Sequence, residues 1–157
     1  MEDRPVVYLK YPDSSRMVEV IADYVEYDAK TRKAEAAGTV IISSKNISST
    51  SNCAVMHLKE NTLDLFENPR AKRGDSEISG ELISVTFDED VLRTIDVIDS
   101  AVGEFVEPVD SAKGEFDKST LKGKRIILNF EYGQLVDVLC YGQAYSWYYP
   151  SARGSNE

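Results

Sequence analysis

The chain has 157 residues, of which 42% are hydrophobic and 10% aromatic, and it carries a formal net charge of -9. This composition suits one packed domain and differs from that of disordered chains. A negative surface repels a polyanionic backbone, so nucleic acid is excluded as an expected partner. The sequence shows no apolar run of the length of a membrane span, roughly 18 residues, and no export signal, so we expect membrane contact only through partners.

Four segments of the chain repeat one pattern: an extended run, a polar turn, a second extended run and a small residue. They begin at Ala22, Asn52, Gly80 and Gly123. Their equivalent apolar positions recur at intervals of about 30 residues, with one longer interval before the last segment. Such a period is typical of stacked repeats, in which no unit buries its apolar face alone. We predict a single domain over residues 1–157, with repeats at about 18–46, 47–75, 76–105 and 119–150.

Within each repeat the apolar residues alternate with polar ones, which is the period of a β-strand. The intervening turns are short and polar enough for hairpins, so each unit is predicted to be an out-and-back β element with one inward face. Met17–Val25 also fits the stripe of an amphipathic helix, and a helix is the alternative there. The connection at about 107–120 is charged and contains Pro and Gly, so we predict an exposed, mobile loop.

Residues suited to catalysis or metal binding are sparse. His57 is the single histidine, and on a strand it lies about 13 Å from Cys53, too far to share a metal ion. We expect His57 on the solvated face. The carboxylates of 88–90 fall in a predicted turn, where charges are usually solvated, and no phosphate-binding loop is present. Cys53 and Cys140 lie in different repeats and are predicted to be free thiols.

Three stretches carry a resemblance to a known family. Ala22–Asp28 (ADYVEYD) followed by Ala34–Ile42 (AEAAGTVII) resembles the repeat of the OstA-like family, and Ile78–Val85 (ISGELISV) resembles a later element of it. This is the periplasmic lipopolysaccharide-transport domain found in LptA, LptC and the amino-terminal part of LptD. The chain departs from the family pattern where Thr39 replaces the usual Asn and Glu81 the usual Asp.

The resemblance implies an all-β fold, namely an open antiparallel β-jelly roll (a β-taco) of stacked out-and-back repeats, without enzymatic activity, cofactor or metal. Its apolar groove would hold the acyl chains of lipopolysaccharide or a related amphiphile. The protein would then be a periplasmic bridge or carrier that moves this lipid toward the outer membrane, edge to edge with other jelly-roll transport components or with copies of itself. The alternatives are a structural β-repeat adaptor that binds only protein, and an interior that is an ordinary core.

The inward apolar positions of the repeats form the candidate lipid groove. They are Val25, Tyr27, Met56, Leu58, Ile83, Val85, Phe87, Ile126, Leu128 and Phe130. Four of these are expected to form the groove floor at equivalent positions in successive rungs, namely Tyr27, Met56, Phe87 and Phe130.

The C-terminal aromatic run supplies a candidate partner edge at Tyr145, Trp147 and Tyr148. It either pairs with another domain or caps the open end of the roll, and the cap is the preferred interpretation.

Overall fold

The computed structural model describes residues 4–10, 17–44, 47–89 and 91–150. They form one antiparallel sheet and a single turn of 3-10 helix at Ser111–Lys113, which confirms the predicted all-β class. No helix in these ranges is long and apolar enough to cross a membrane. The strands are β1 (Val6–Lys10), β2 (Met17–Ile21), β3 (Tyr24–Asp28), β4 (Lys33–Ser43), β5 (Ile47–His57), β6 (Thr62–Phe66), β7 (Arg70–Arg73), β8 (Ser76–Ser79), β9 (Leu82–Asp88), β10 (Val91–Asp110), β11 (Glu115–Glu131), β12 (Gln134–Tyr141) and β13 (Tyr145–Tyr149).

A bend across the sheet divides it into two walls, named here after their first strands. The β1 wall runs in the order β1, β2, β4, β5, β7, β8, β10, β11 and β13. The β3 wall runs in the order β3, β4, β5, β6, β9, β10, β11 and β12. The long strands β4, β5, β10 and β11 therefore cross the bend and belong to both walls.

The bend falls at the same place in successive rungs, and specific backbone geometry produces it. The N–H of Asp23 donates to the carbonyl of Gly38 at 3.1 Å, and the N–H of Lys124 donates to that of Gly142 at 3.0 Å. Gly38 and Gly142 have φ values of +82° and +76°, which glycine adopts without a steric penalty. In β4 the pairing register shifts by one residue around Gly38, and such a β-bulge bends the strand. This bend is called the corner here, and the four repeated segments begin at or beside it, at Ala22, Asn52, Gly80 and Gly123.

Inward-facing side chains form continuous ladders across neighbouring strands. In the β3 wall the ladder nearest the corner is Val25, Ala36, Ala54, Leu65, Ile83, Val97, Ile126 and Cys140. The next is Tyr27, Ala34, Met56, Leu63, Val85, Ile95, Leu128 and Val138. The facing ladder of the β1 wall is Val7, Val20, Ile42, Ser49, Ala71, Ile78, Gly103, Leu121 and Ser146. The core lies where these ladders meet.

Two expectations from the sequence are wrong, and at Met17–Val25 the strand interpretation is confirmed over its helical alternative. Met17–Val25 is not helical, because β2 pairs with β1 and β4 while β3 pairs with β4. Residues 107–120 are not a loop but the ends of β10 and β11, paired as a ribbon through Glu107 and Asp117. The predicted groove floor also combines residues from two different ladders of inward-facing side chains. Tyr27 and Met56 share a ladder, whereas Phe87 and Phe130 lie two residues further from the corner.

Candidate functional site

A cavity of about 470 Å³ lies between the two walls, in the half of the roll that contains β10 and β11. Its apolar lining comes from both walls, with Ile47, Ala71, Ile78 and Phe105 on one side and Ile95, Leu128, Phe130 and Leu135 on the other. Its size falls within the usual range of small-molecule pockets, about 300–1,000 Å³. It opens along the side of the roll opposite the corner, where the strands of the two walls end.

The ring of Phe105 forms part of the cavity wall, and Gly103 determines where that ring lies. The two residues are neighbours on the inward face of β10, and a Cβ added to Gly103 would lie 2.6 Å from Cε2 of Phe105. The same Cβ would lie 3.7 Å from Cδ1 of Ile126 on β11. Because Gly103 has no side chain, the Phe105 ring can fold back toward the corner and leave the centre of the cavity open.

The rim of the cavity is polar and charged, unlike its floor. Arg73 at the end of β7 reaches across the mouth, where its guanidinium donates a long hydrogen bond of 3.5 Å to the carbonyl of Gly133 in the β11–β12 turn. Glu107 and Gln134 also line this rim. An apolar floor beneath a charged rim suits a molecule that has both an apolar chain and a polar group.

A second, smaller cavity of about 40 Å³ lies toward β1 and β3. Val7, Val20 and Ile42 of the β1 wall line it together with Val25, Ala34, Ala36, Ala54, Met56 and Leu63 of the β3 wall. The alanine side chains in this lining are small and fill little of the space between the walls, yet the cavity volume is also small. The two walls must therefore approach each other more closely at this end of the roll.

The predicted groove residues lie on the inward face except Leu58, which is in the turn after β5, and they do not share one site. Leu128 and Phe130 line the cavity of about 470 Å³, whereas Val25 and Met56 line that of about 40 Å³. The other members are distributed as follows: Ile83, Val85 and Ile126 are buried in the core, Leu58 and Phe87 are half-buried near the hairpin tips, and Tyr27 is exposed at the β3 edge. Lipid contact by any of them remains a prediction.

The β1-wall side of the site was not predicted from the sequence. Four residues line the cavity there, and none was among the predicted groove residues: Ile47, Ala71, Ile78 and Phe105. The signal was weak, because β7 and β8 contribute only four residues each, flanked by polar turns. The pairing of Ala71 with Ile78 gives each short strand one buried apolar residue, which is too little for a periodic pattern.

The predicted partner edge is a strand of the sheet. Tyr145–Tyr149 forms β13 and pairs with β11, so it continues the β1 wall and does not fold over it. Whether this strand caps the end of the roll or pairs with another domain stays a prediction. Tyr145 and Trp147 stack on the outer face with ring centroids 5.9 Å apart, and the ammonium of Lys122 lies 5.7 Å from the Trp147 ring centre. Tyr148 points the other way, and its hydroxyl donates to Asp117 at 2.8 Å.

The residues considered for catalysis are dispersed. His57 is on the outer face, as expected, with Nε2 3.8 Å from the carboxylate of Asp64. Both cysteines are free, as predicted. Burial raises the pKa of each thiol, which lowers the thiolate fraction. Asp88 and Glu89 are exposed at a hairpin tip, and Asp90 lies outside the described residues. No cluster of three or more metal-binding side chains occurs in the part of the chain that the structure describes.

Comparison with known proteins identifies the architecture. No family model matches the sequence, and no curated protein matches it. Among solved structures, the chain is similar to LptH, the LptA homologous periplasmic component of the lipopolysaccharide transport device of Pseudomonas aeruginosa. The TM-score is 0.60 at 17% sequence identity, over 80% of this chain and 82% of that chain. The chain thus has the LptA-like β-jelly-roll fold that the family resemblance implies.

Proposed function

We propose that this chain is a non-enzymatic component of lipid transport, which holds acyl chains of lipopolysaccharide or a related amphiphile between its two walls. The observation that carries the proposal is the cavity of about 470 Å³, because both walls contribute apolar side chains to it. Each methylene transferred from water into such a site contributes about 0.8 kcal/mol. Several buried methylenes therefore suffice for binding without any catalytic group.

The polarity of the mouth supports an amphiphile over a purely apolar ligand. Arg73, Glu107 and Gln134 border the opening, so a polar headgroup would meet hydrogen-bonding partners and water there. The acyl part would lie deeper, against Phe105 and Phe130. An open side also lets a ligand extend out of the roll, as a lipid with a large sugar portion requires.

We further propose that the chain acts in the periplasm, as part of a bridge that moves the lipid toward the outer membrane. Within the described residues, β3 and β12 lie at opposite ends of the β3 wall. Each pairs with one neighbouring strand and leaves its other edge unpaired. Strand directions alternate along this wall, so β12 of one roll would lie antiparallel to β3 of the next. An unpaired edge of this kind is a template for adding a strand from a partner. The inward ladders would then continue from one roll into the next.

Site-specific photo-crosslinking tests lipid binding. We expect a photo-reactive phenylalanine at position 105, on the cavity wall, to label lipopolysaccharide. The same group at position 104 is the matched control, since Glu104 is adjacent, exposed and on the opposite face of β10. Competition by excess unlabelled lipopolysaccharide should remove the signal at position 105. Equal labelling at both positions, or none at either, would contradict the proposal.

The second candidate function is a structural adaptor that binds only protein. The exposed aromatic side chains of β13 favour it, because Tyr and Trp are enriched at protein interfaces. Labelling of protein but not of lipid from position 105 would support this candidate.

A further inference from the structure

Within the residues that the structure describes, the two walls of the roll differ by one strand. They share β4, β5, β10 and β11, but the β1 wall adds five strands of its own whereas the β3 wall adds four. The additional strand of the β1 wall is β1, at the amino-terminal end of the roll. It pairs with β2, whereas no described strand continues the β3 wall beyond β3. At the other end, β12 and β13 both pair directly with β11 and finish level. One end of the roll is thus stepped by one strand spacing, about 4.8 Å, and the other is flush.

A flush end cannot meet a stepped end along both walls at once. If β12 of one copy pairs with β3 of the next, the neighbouring position in the β1 wall lies between β11 of the first copy and β2 of the second. That position is already taken from both sides, by β13 of the first copy and by β1 of the second. The junction therefore contains one strand too many.

β1 and β13 are suited to the same position. Each has five residues, and each begins at a corner and runs away from it. Val6 of β1 pairs with Ile21, the residue before corner residue Ala22. Tyr145 of β13 pairs with Lys122, the residue before corner residue Gly123. Strand directions alternate along the β1 wall, so β1 and β13 also run in the same direction. Either strand would lie antiparallel to both neighbours in the shared position.

We propose that β1 and β13 compete for one strand position at each junction between two copies of this chain, so that a continuous junction forms only when one of them is displaced. This inference rests on the head-to-tail association in the proposed function and adds a mechanism that limits it. The isolated chain fills both positions from its own sequence and is self-capped. Association is then a strand exchange rather than a simple docking of two edges.

The structure shows what must break for either strand to leave. The Arg4 guanidinium precedes β1 and donates to the carboxylate of Asp23 at 2.9 Å and to the carbonyls of Gly38, at 2.8 Å, and Thr39. β13 is held by the hydrogen bond from Tyr148 to Asp117 and by the contact of Lys122 with Trp147. These attachments are largely solvent-exposed, and the strands are short. Displacement is therefore compatible with an intact core.

Disulfide locks test the exchange in the full chain. In a Cys53→Ala, Cys140→Ala background, Tyr8→Cys with Glu19→Cys would lock β1 to β2, because these positions are directly paired. Trp147→Cys with Thr120→Cys would lock β13 to β11 in the same way. Cα atoms of such antiparallel pairs are about 4.5–5.5 Å apart, within the range of a disulfide. The reduced form of each variant is its matched control, and mass spectrometry verifies the pairing.

Sedimentation at matched concentrations then measures association. With either lock alone, we expect a dissociation constant within about threefold of the reduced form, because the other strand is still free to leave. With both locks oxidised, we expect it to rise at least tenfold, and reduction should reverse the change. A doubly locked chain that associates as tightly as its reduced form would overturn the exchange while leaving head-to-tail association intact.

A further variant covers the case in which the parent chain is monomeric. Trp147→Pro removes a backbone donor from the middle of β13 and should release that strand. We then expect at least tenfold tighter association than in the parent, since β1 of a neighbour can take the vacated position. If Trp147→Pro is also monomeric at about 1 mM, the exchange and the self-association are both overturned. The crosslinking result at position 105 would decide lipid binding independently.

Discussion

Gly103→Ala is expected to destabilise the protein through a single neighbour, Phe105. A Cβ at position 103 would lie 2.6 and 2.9 Å from two atoms of the Phe105 ring, closer than van der Waals contact permits. The ring must then rotate into the cavity or push the walls apart. Overpacking of this kind typically costs about 1–3 kcal/mol. The gain from a less flexible unfolded chain, about 0.4–1 kcal/mol, offsets only part of that cost.

The same change should be harmless, or slightly stabilising, once Phe105 is shortened. In a Phe105→Ala background the ring is gone, and the next atom, Cδ1 of Ile126, lies at an ordinary contact distance of 3.7 Å from the added Cβ. Gly103→Ala should then raise the free energy of unfolding by up to about 1 kcal/mol through the unfolded state. The double-mutant cycle is therefore expected to give a coupling energy of about 2 kcal/mol.

Urea denaturation followed by circular dichroism measures all four proteins of this cycle. Phe105→Ala alone is expected to cost less than the 3–5 kcal/mol of a fully buried phenylalanine, because this ring is half-buried at the cavity. Independent sites add to within about 0.5 kcal/mol. Additive effects of the two substitutions would refute the claim that Gly103 makes room for the ring.

Two further predictions concern burial. Ile126→Ala should lower the free energy of unfolding by about 2–5 kcal/mol, because this side chain is fully buried in the core ladder, whereas Leu139→Ala on the outer face of β12, 41% exposed, should cost far less in the same urea titration. The raised pKa values of the Cys53 and Cys140 thiols predict slower alkylation by iodoacetamide at pH 8 in the folded protein than in urea, and equal rates in both states would contradict this.

The β3 wall was largely predictable from sequence because its strands alternate without interruption on one side of the corner. The apolar residues from Ile126 to Phe130 face inward at every second position, as a half-buried strand requires. The alternation of inward and outward residues changes phase across the corner. On the far side of it the inward residue is Leu121, which is odd-numbered, whereas Ile126 and Phe130 are even-numbered. A single period extended through Gly123 would place half of β11 on the wrong face.

The β1 wall escaped prediction for a different reason. Ser49 and Ser51 are buried at inward positions of β5, so polarity does not mark the outer face there. The hydroxyl of Ser51 donates to the carbonyl of Cys53 at 3.0 Å, which satisfies it locally. In the ribbon formed by the ends of β10 and β11, Val106 pairs with Lys118 and Glu107 with Asp117, so charged residues occur on both faces and no alternation marks a strand. In both cases the strand is defined by its pairing with neighbouring strands, which the sequence alone does not reveal.

Strand exchange would also change the narrow end of the groove. Val7 of β1 lines the small cavity, so its departure would remove an apolar side chain from that wall. The incoming β13 would supply Ser146 at the equivalent position, since Ser146 pairs with Leu121 as Val7 pairs with Val20. Serine is smaller and polar, so a junction completed by β13 would be wider and more polar than one completed by β1. The strand that occupies the shared position would therefore set the width and polarity of this end of the interior as well as the stability of the junction.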